Sequence, residues 1–252
     1  MKSNVSFRGV NRISQAFKQK KFNMKKIIIP FFCAVLFTTT VNAQTKMAAA
    51  TATSTAVKSQ LSPQQVIDSY LNALGGKSKL EAVKTTITEN TMSIQGMEIA
   101  MNTKKMGNKF KSVQSVMGQE VTQMFDGEKG YVNQMGTKSD LPATVIPELK
   151  KGKTIDALGY DAATFTGVTV EKLDGKDYNV LTSDKGKFYF DVATGLLYKS
   201  NTEMGDAVIK SYLTVDGIKF PENIEAEGSG QKVVIKTTKI TINSGVTDVD
   251  FK

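Results

Sequence analysis

The chain has no histidine and no tryptophan, and its one cysteine, Cys33, lies in an N-terminal apolar run. Without histidine, Ser-His-Asp and Cys-His catalysis are excluded, and so is zinc held by His or Cys. No disulfide can form within the chain, and a single leader cysteine suits export to an oxidising compartment. A carboxylate pair or a Ser-Lys dyad remains in the inventory, but no spacing singles one out. No G-x-G-x-x-G follows a strand pattern, and there is no P-loop. The expectation is a protein that is not an enzyme, with no cofactor and no metal site.

Arginine is almost as scarce: Arg8 and Arg12 are the only two. Residues 1–43 carry eight of the 33 basic residues and none of the 24 acidic ones. The formal charge of +9 therefore belongs to this leader, and the remainder carries 25 basic and 24 acidic residues, a net of +1. Nucleic-acid binding, which needs a basic surface, is not expected.

The leader has the layout of a secretory signal peptide. Met24-Lys25-Lys26 is its basic start, Ile27 to Phe37 its apolar core, and Val41-Asn42-Ala43 supplies small residues before a cleavage site after Ala43. The apolar run is shorter than the roughly 20 residues of a membrane-spanning helix. Met24 alone opens a complete signal peptide, so it is the expected start, with residues 1–23 upstream of it. Cys33 is followed by further apolar residues and lacks the small residues that precede a lipid-modified cysteine. A cleaved, soluble, monomeric product in the periplasm is expected. Residues 44–60, rich in Ala, Thr and Ser, read as a flexible linker, and 61–252 as one domain.

That domain carries a ladder of glycines. Gly96, Gly107, Gly118 and Gly127 recur about every eleven residues, and Gly175, Gly186, Gly195, Gly205, Gly217 and Gly228 repeat the interval. Turn signals at this spacing, with β-rich runs between them, mark antiparallel hairpins. The fold class read from this is mainly β with a few helices (α+β). A curved antiparallel sheet of about 11 strands forms an open half-barrel, with helices over the concave face.

Two-residue turns at Gln95-Gly96, Gly107-Asn108 and Gly118-Gln119 allow the faces to be traced, because paired residues share a face. One face collects Met92, Ile94, Met97, Ile99, Met101, Phe110, Val116, Val121 and Phe125. Gln114 and Gln123 fall on it too, directly opposite each other in this register. The other face collects Thr91, Ser93, Glu98, Ala100, Lys104, Lys111, Glu120 and Thr122, with Val113, Met117 and Met124 as apolar exceptions. Lys104, Lys105, Lys109 and Lys111 read as a solvated strand edge.

Helices flank the strands. Ser62 caps a helix with Pro63 at its first position and Gln65 completing a capping box. Val66, Ile67, Tyr70, Leu71 and Leu74 form its apolar stripe, and Gly75-Gly76 ends it. A second capping box, Ser78 to Glu81, predicts a short helix. The strand pattern lapses between Gly136 and Gly167. There Leu141, Val145, Ile146 and Leu149 lie in a proline-bounded helical segment, read as a lid or plug.

Several segments taken together resemble the periplasmic lipoprotein-carrier superfamily (LolA/LolB-like). The helix end Tyr70-Leu71-Asn72-Ala73-Leu74-Gly75-Gly76 is similar to the family's opening helix. Phe125-Asp126-Gly127-Glu128-Lys129-Gly130-Tyr131 resembles its F-D-G hairpin. Asp191-Val192-Ala193-Thr194-Gly195-Leu196 resembles its D-x-x-T-G-L hairpin, and Asp216-Gly217-Ile218-Lys219-Phe220-Pro221 also fits. The resemblance covers most of 61–252. It implies an unclosed antiparallel barrel, helices in its concave side, and an apolar cavity that receives acyl chains. The arginine that carriers place in that cavity has no counterpart in residues 44–252.

Methionine is the positive compositional signal, with seven of eleven between Met92 and Met135. Thioethers are flexible and polarizable, and they serve both as core filler and as the lining of sites for varied apolar ligands. The cavity-lining candidates are the eleven residues of the apolar face, Gln114 and Gln123 included. These glutamines bond each other or a helix end, or meet a ligand's polar head. The functional reading is a periplasmic carrier-like protein binding lipid, acyl chains or lipoprotein. An envelope protein partner and peripheral membrane contact fit the same reading. The alternative is a non-catalytic structural or interaction module of the envelope with a filled core. The ligand is expected against the Met-rich first half, under the helices that precede and interrupt it.

Overall fold

Tight turns with both central residues at positive φ set the sheet. Gln95 and Gly96 have φ of 51° and 81°, and Asp216 and Gly217 have 50° and 75°. This is the geometry whose twist matches antiparallel strands. The computed structural model describes residues 57–116 and 118–252. The expected leader, its cleavage site and most of the expected linker lie outside the described residues.

The chain order is β1 (Val57–Lys58), α1 (Pro63–Leu74), α2 (Lys77–Ala82), β2 (Thr85–Ile94), β3 (Met97–Met106), β4 (Lys109–Val116) and β5 (Gln119–Phe125). β6 (Gly130–Gln134), β7 (Thr137–Asp140) and α3 (Ile146–Lys150) follow. Two 3-10 turns, Asp156–Gly159 and Ala162–Thr164, lead into β8 (Gly167–Leu173), β9 (Lys176–Ser183) and β10 (Gly186–Asp191). The chain ends with β11 (Leu197–Thr202), β12 (Gly205–Val215), β13 (Ile218–Gly228), β14 (Gln231–Ile242) and a 3-10 turn, Asp248–Phe251.

Among the described residues all strands join one antiparallel sheet in the order β1-β8-β9-β10-β11-β12-β13-β14-β2-β3-β4-β5-β6-β7. The last strand pairs with the first long one, while β1 and β7 remain as separate edges. The result is the expected open half-barrel, but with 14 strands rather than about 11. The extra strands are short or polar. β7 is Thr-Lys-Ser-Asp, with no apolar residue to mark it, and β1 is two residues at the end of the expected linker. Val57 pairs with Val170, and the Ser59 amide donates to the Val168 carbonyl at 3.1 Å, so the linker's end is tied to the sheet.

α1 forms as its sequence dictates. The Ser62 hydroxyl accepts from the Gln65 amide at 3.3 Å, and the Gln65 side chain accepts from the Ser62 amide at 2.8 Å. α2 begins two residues earlier than expected, at Lys77, with Gly76 rather than Ser78 as its N-cap and no side-chain cap. The Ser78–Glu81 box is therefore not used.

α1 does not lie over the Met-rich first half. Its stripe packs with Val168, Leu181, Phe188, Phe190 and Ile218 of the second half. The Tyr70 ring meets Phe190 edge-on at 5.2 Å, and Tyr160, delivered by the 3-10 turns, meets Phe188 at 5.7 Å. Each such side chain contributes on the order of 1.5–3 kcal/mol through burial. A second cluster forms where α3 sets Leu149 against Phe110 and Phe125.

The opposite face is not bare. Tyr178, Val180 and Tyr189 are buried there, with Tyr198 stacked on Tyr178 at 4.9 Å. The expected lysine edge is also corrected, because β3 and β4 are interior strands. Lys104 pairs with Asp250 and Lys109 with Asp248 of the C-terminal turn, and Lys105 pairs with Asp156.

Candidate ligand-binding face

Register converts the traced face into rows that run across strands. Nearest the β2–β3 hairpin, Val233, Ile94 and Met97 align, and Ile235, Met92 and Ile99 form the next row. The third row runs Thr237–Asn90–Met101–Gln114–Val121–Gln134. The fourth is Thr88–Thr103–Ser112–Gln123–Val132, and the fifth is Thr86–Lys105–Phe110–Phe125–Gly130. Two apolar rows therefore lie at one end and an aromatic row at the other, with two mixed rows rich in Thr, Ser, Asn and Gln between them.

Met92, Ile94, Ile99, Met101, Phe110, Gln114, Gln123 and Phe125 are all buried on this face, and Val116 and Val121 are half-buried. Met97 shares the face but sits beside the hairpin turn, 38 % exposed. The two glutamines are not opposite each other. The β4–β5 hairpin closes on Val116–Gln119, so Gln114 pairs with Val121 and Gln123 with Ser112. The turn lies one position earlier than expected, which shifts pairing by two residues. An even shift leaves every side chain on its face.

The polar rows are incompletely satisfied. The Thr103 hydroxyl donates to the Ser112 hydroxyl at 3.1 Å. Gln123 Oε1 and Asn90 Oδ1 are buried and have no hydrogen-bond partner. An unpaired buried carbonyl costs about 1–3 kcal/mol, so each is a group that a ligand or water would stabilise. Among the described residues that register places on this face in β14 and β2–β6, Lys105 alone is ionisable, and it is paired with Asp156 at 2.5 Å. The face is otherwise neutral.

The proposed lid residues come together. Leu141, Val145 and Ile146 are half-buried around Leu149, which is 5 % exposed and packs on Phe110 and Phe125. Lys150 pairs with Glu128, and Asn108 Nδ2 donates to the Lys150 carbonyl at 3.4 Å. A groove of about 450 Å³ lies elsewhere, between the outer sides of α1 and α2 and residues 153–162.

Several residues of this face escaped the sequence reading. Val233 and Ile235 reach it only through the long-range β14–β2 pairing. Their two-residue alternation with Lys232, Val234 and Lys236 is a strand signal, but it names no partner. Asn90, Thr103 and Ser112 are ordinary strand residues until register aligns them. The residues from Ile155 to Phe165, which supply Tyr160 to the core, have no regular period.

No protein-family model matches the chain, and no curated protein matches it. Solved structures do. A DUF1329 family protein from Desulfovibrio piger aligns over 76 % of this chain and 98 % of its own, with 14 % identity and a TM-score of 0.52. A putative outer membrane lipoprotein-sorting protein domain from Vibrio parahaemolyticus aligns over 75 % of this chain and 97 % of its own, with 10 % identity and a TM-score of 0.51. At these identities the likeness is one of fold. It is the LolA-like half-barrel that the hairpin motifs imply.

Proposed function

We propose that this protein is a carrier-like protein of the periplasm that binds lipid or acyl chains on the helix-bearing face of its sheet. One observation carries the reading. An apolar strip of Val233, Ile235, Met92, Ile94, Ile99 and Met101 lies on the helix-bearing face, and its residues belong to neither the α1 cluster nor the α3 cluster. Methionines in such a strip adapt to chains of varied shape. The shared fold with a lipoprotein-sorting domain and the apparent signal peptide support the same reading. The role is binding rather than catalysis. An envelope protein would be the donor or acceptor of the ligand, with contact at a membrane surface.

The test is mass spectrometry of organic extracts from the purified protein. Co-purifying acyl species near one equivalent are expected. A lipid-free extract, from protein that also fails to take up added acyl probes, would establish the structural module instead.

A further inference from the structure

Within the binding face proposed above, and resting on that proposal, we infer that the fourth row receives a neutral, hydroxyl-bearing headgroup of the monoacylglycerol class in preference to a carboxylate or phosphate. Gln123 is 7 % exposed, and its Oε1 is an acceptor without a donor. It sits across from Ser112, beside the Thr103–Ser112 hydroxyl pair, with Val121 on one side of it along β5 and Phe125 on the other. A hydroxyl can donate to this oxygen and also accept from the Gln123 Nε2 amide, whereas a carboxylate or phosphate oxygen can only accept and leaves Oε1 without a donor. Asn90 Oδ1 repeats the pattern three strands away. At about 4.8 Å per strand spacing, that is too far for one hydroxyl to serve both.

Charge points the same way. A buried anion needs a cation partner to offset its desolvation. Lys105, in the row beside Gln123, is held by Asp156 at 2.5 Å. Lys104 and Lys109 belong to the opposite face and are held by Asp250 and Asp248. No arginine occurs in residues 44–252.

The experiment compares three ligands with the same acyl chain by calorimetry at neutral pH: 1-monopalmitoylglycerol, palmitate and palmitoyl lysophosphatidic acid. The protein is purified after expression of the full chain. Monopalmitoylglycerol is expected to bind about tenfold more tightly than either anion, the value of one hydrogen bond gained. Gln123→Leu should erase that preference, so that monopalmitoylglycerol no longer binds more tightly than palmitate. Because the substitution removes a buried carbonyl oxygen that has no donor, its thermal midpoint should hold or rise. If all three ligands bind the wild type equally, or an anion binds best, the headgroup inference falls while the acyl-binding reading stands. If none binds, both fall. Should the variant fail to fold, the wild-type comparison decides alone.

Discussion

If α3 is a lid, it must come off the sheet without the sheet unfolding, and one side chain governs how easily it does so. Leu149 is the only fully buried residue of α3, docked on Phe110 and Phe125, whose rings lie 6.2 Å apart. Leu141, Val145 and Ile146 are only partly buried around it. Leu→Ala at a packed site costs about 2–5 kcal/mol. A docked surface segment can settle into the space left, so the lower part of that range applies, about 2–3 kcal/mol. This contact is lost whenever the lid opens, so Leu149→Ala should raise the open population by about 30- to 150-fold.

The readout is native-state hydrogen exchange. The amides of Leu149, Lys151 and Gly152, which donate to Val145, Glu148 and Leu149, should lose protection by that factor. Amides of β9 and β10, which exchange only when the sheet unfolds, should then report the same change in global stability at a far slower absolute rate. Uptake of an acyl probe should accelerate together with lid exchange. Equal, sheet-like protection of α3 and β9 in the wild type, with no faster uptake in the variant, would refute the lid and leave α3 as fixed core.

Gly75 has φ +133°, and a Cβ there would stand 2.5 Å from the Gly217 carbonyl oxygen. Gly75→Ala should therefore cost about 2–4 kcal/mol, read as a thermal midpoint lower by about 5–15 °C. Gly96→Ala has φ +81° and open space around it, and should cost only about 1–2 kcal/mol. Asn243 Oδ1 accepts from the Lys84 amide at 2.6 Å, and its Nδ2 donates to the Ala82 carbonyl at 3.2 Å. Asn243→Ala should cost about 1–2 kcal/mol by urea denaturation, since it unpins α2 from β14. The pH profile follows from the charged pairs. Hydrogen bonds from Lys109 and Lys104 hold the Asp248 and Asp250 carboxyls below the usual carboxylate range. Their stabilisation is present above about pH 4 and is lost as pH falls through the lowered values. Burial pushes the Tyr70 and Tyr160 hydroxyls up. Their contribution is complete below about pH 10 and declines above it. With no histidine, the urea midpoint should be flat from about pH 5 to pH 9, and a step near pH 6.5 would contradict this account.

What the sequence displays best is alternation. Turn glycines and period-two patterning, with strands paired through the turns, place Met92, Ile99, Phe110 and Phe125 on one face. Capping chemistry placed α1, because Ser62, Pro63 and Gln65 act within one turn. The failures are of two physical kinds. β7 and the 3-10 turns carry no hydrophobic period, so local chemistry does not announce them. The seating of α1 on β8–β10 and the pairing of β14 with β2 are long-range, decided by how many strands the sheet must hold before it curls back. A helix stripe such as Val66 to Leu74 says that something will cover it, but not what.

The β4–β5 hairpin shows where this limit touches function. Moving its turn by one position changes pairing by two residues, and an even shift leaves the face of every side chain unaltered. Parity is therefore robust, and an apolar face with Gln114 and Gln123 embedded in it survives the error. The polar pairing within that face does not survive. In the expected register the two amides stand opposite each other, where they can bond each other or a helix end, or meet a ligand's polar head. In the observed register Gln114 faces Val121, Gln123 faces Ser112, and the Gln123 carbonyl is left without a donor. The same residues on the same face thus lose the option of bonding each other, and one acceptor is left without a donor. That two-residue difference carries the headgroup inference, and affinity for a hydroxyl headgroup in wild type against Gln123→Leu measures it directly.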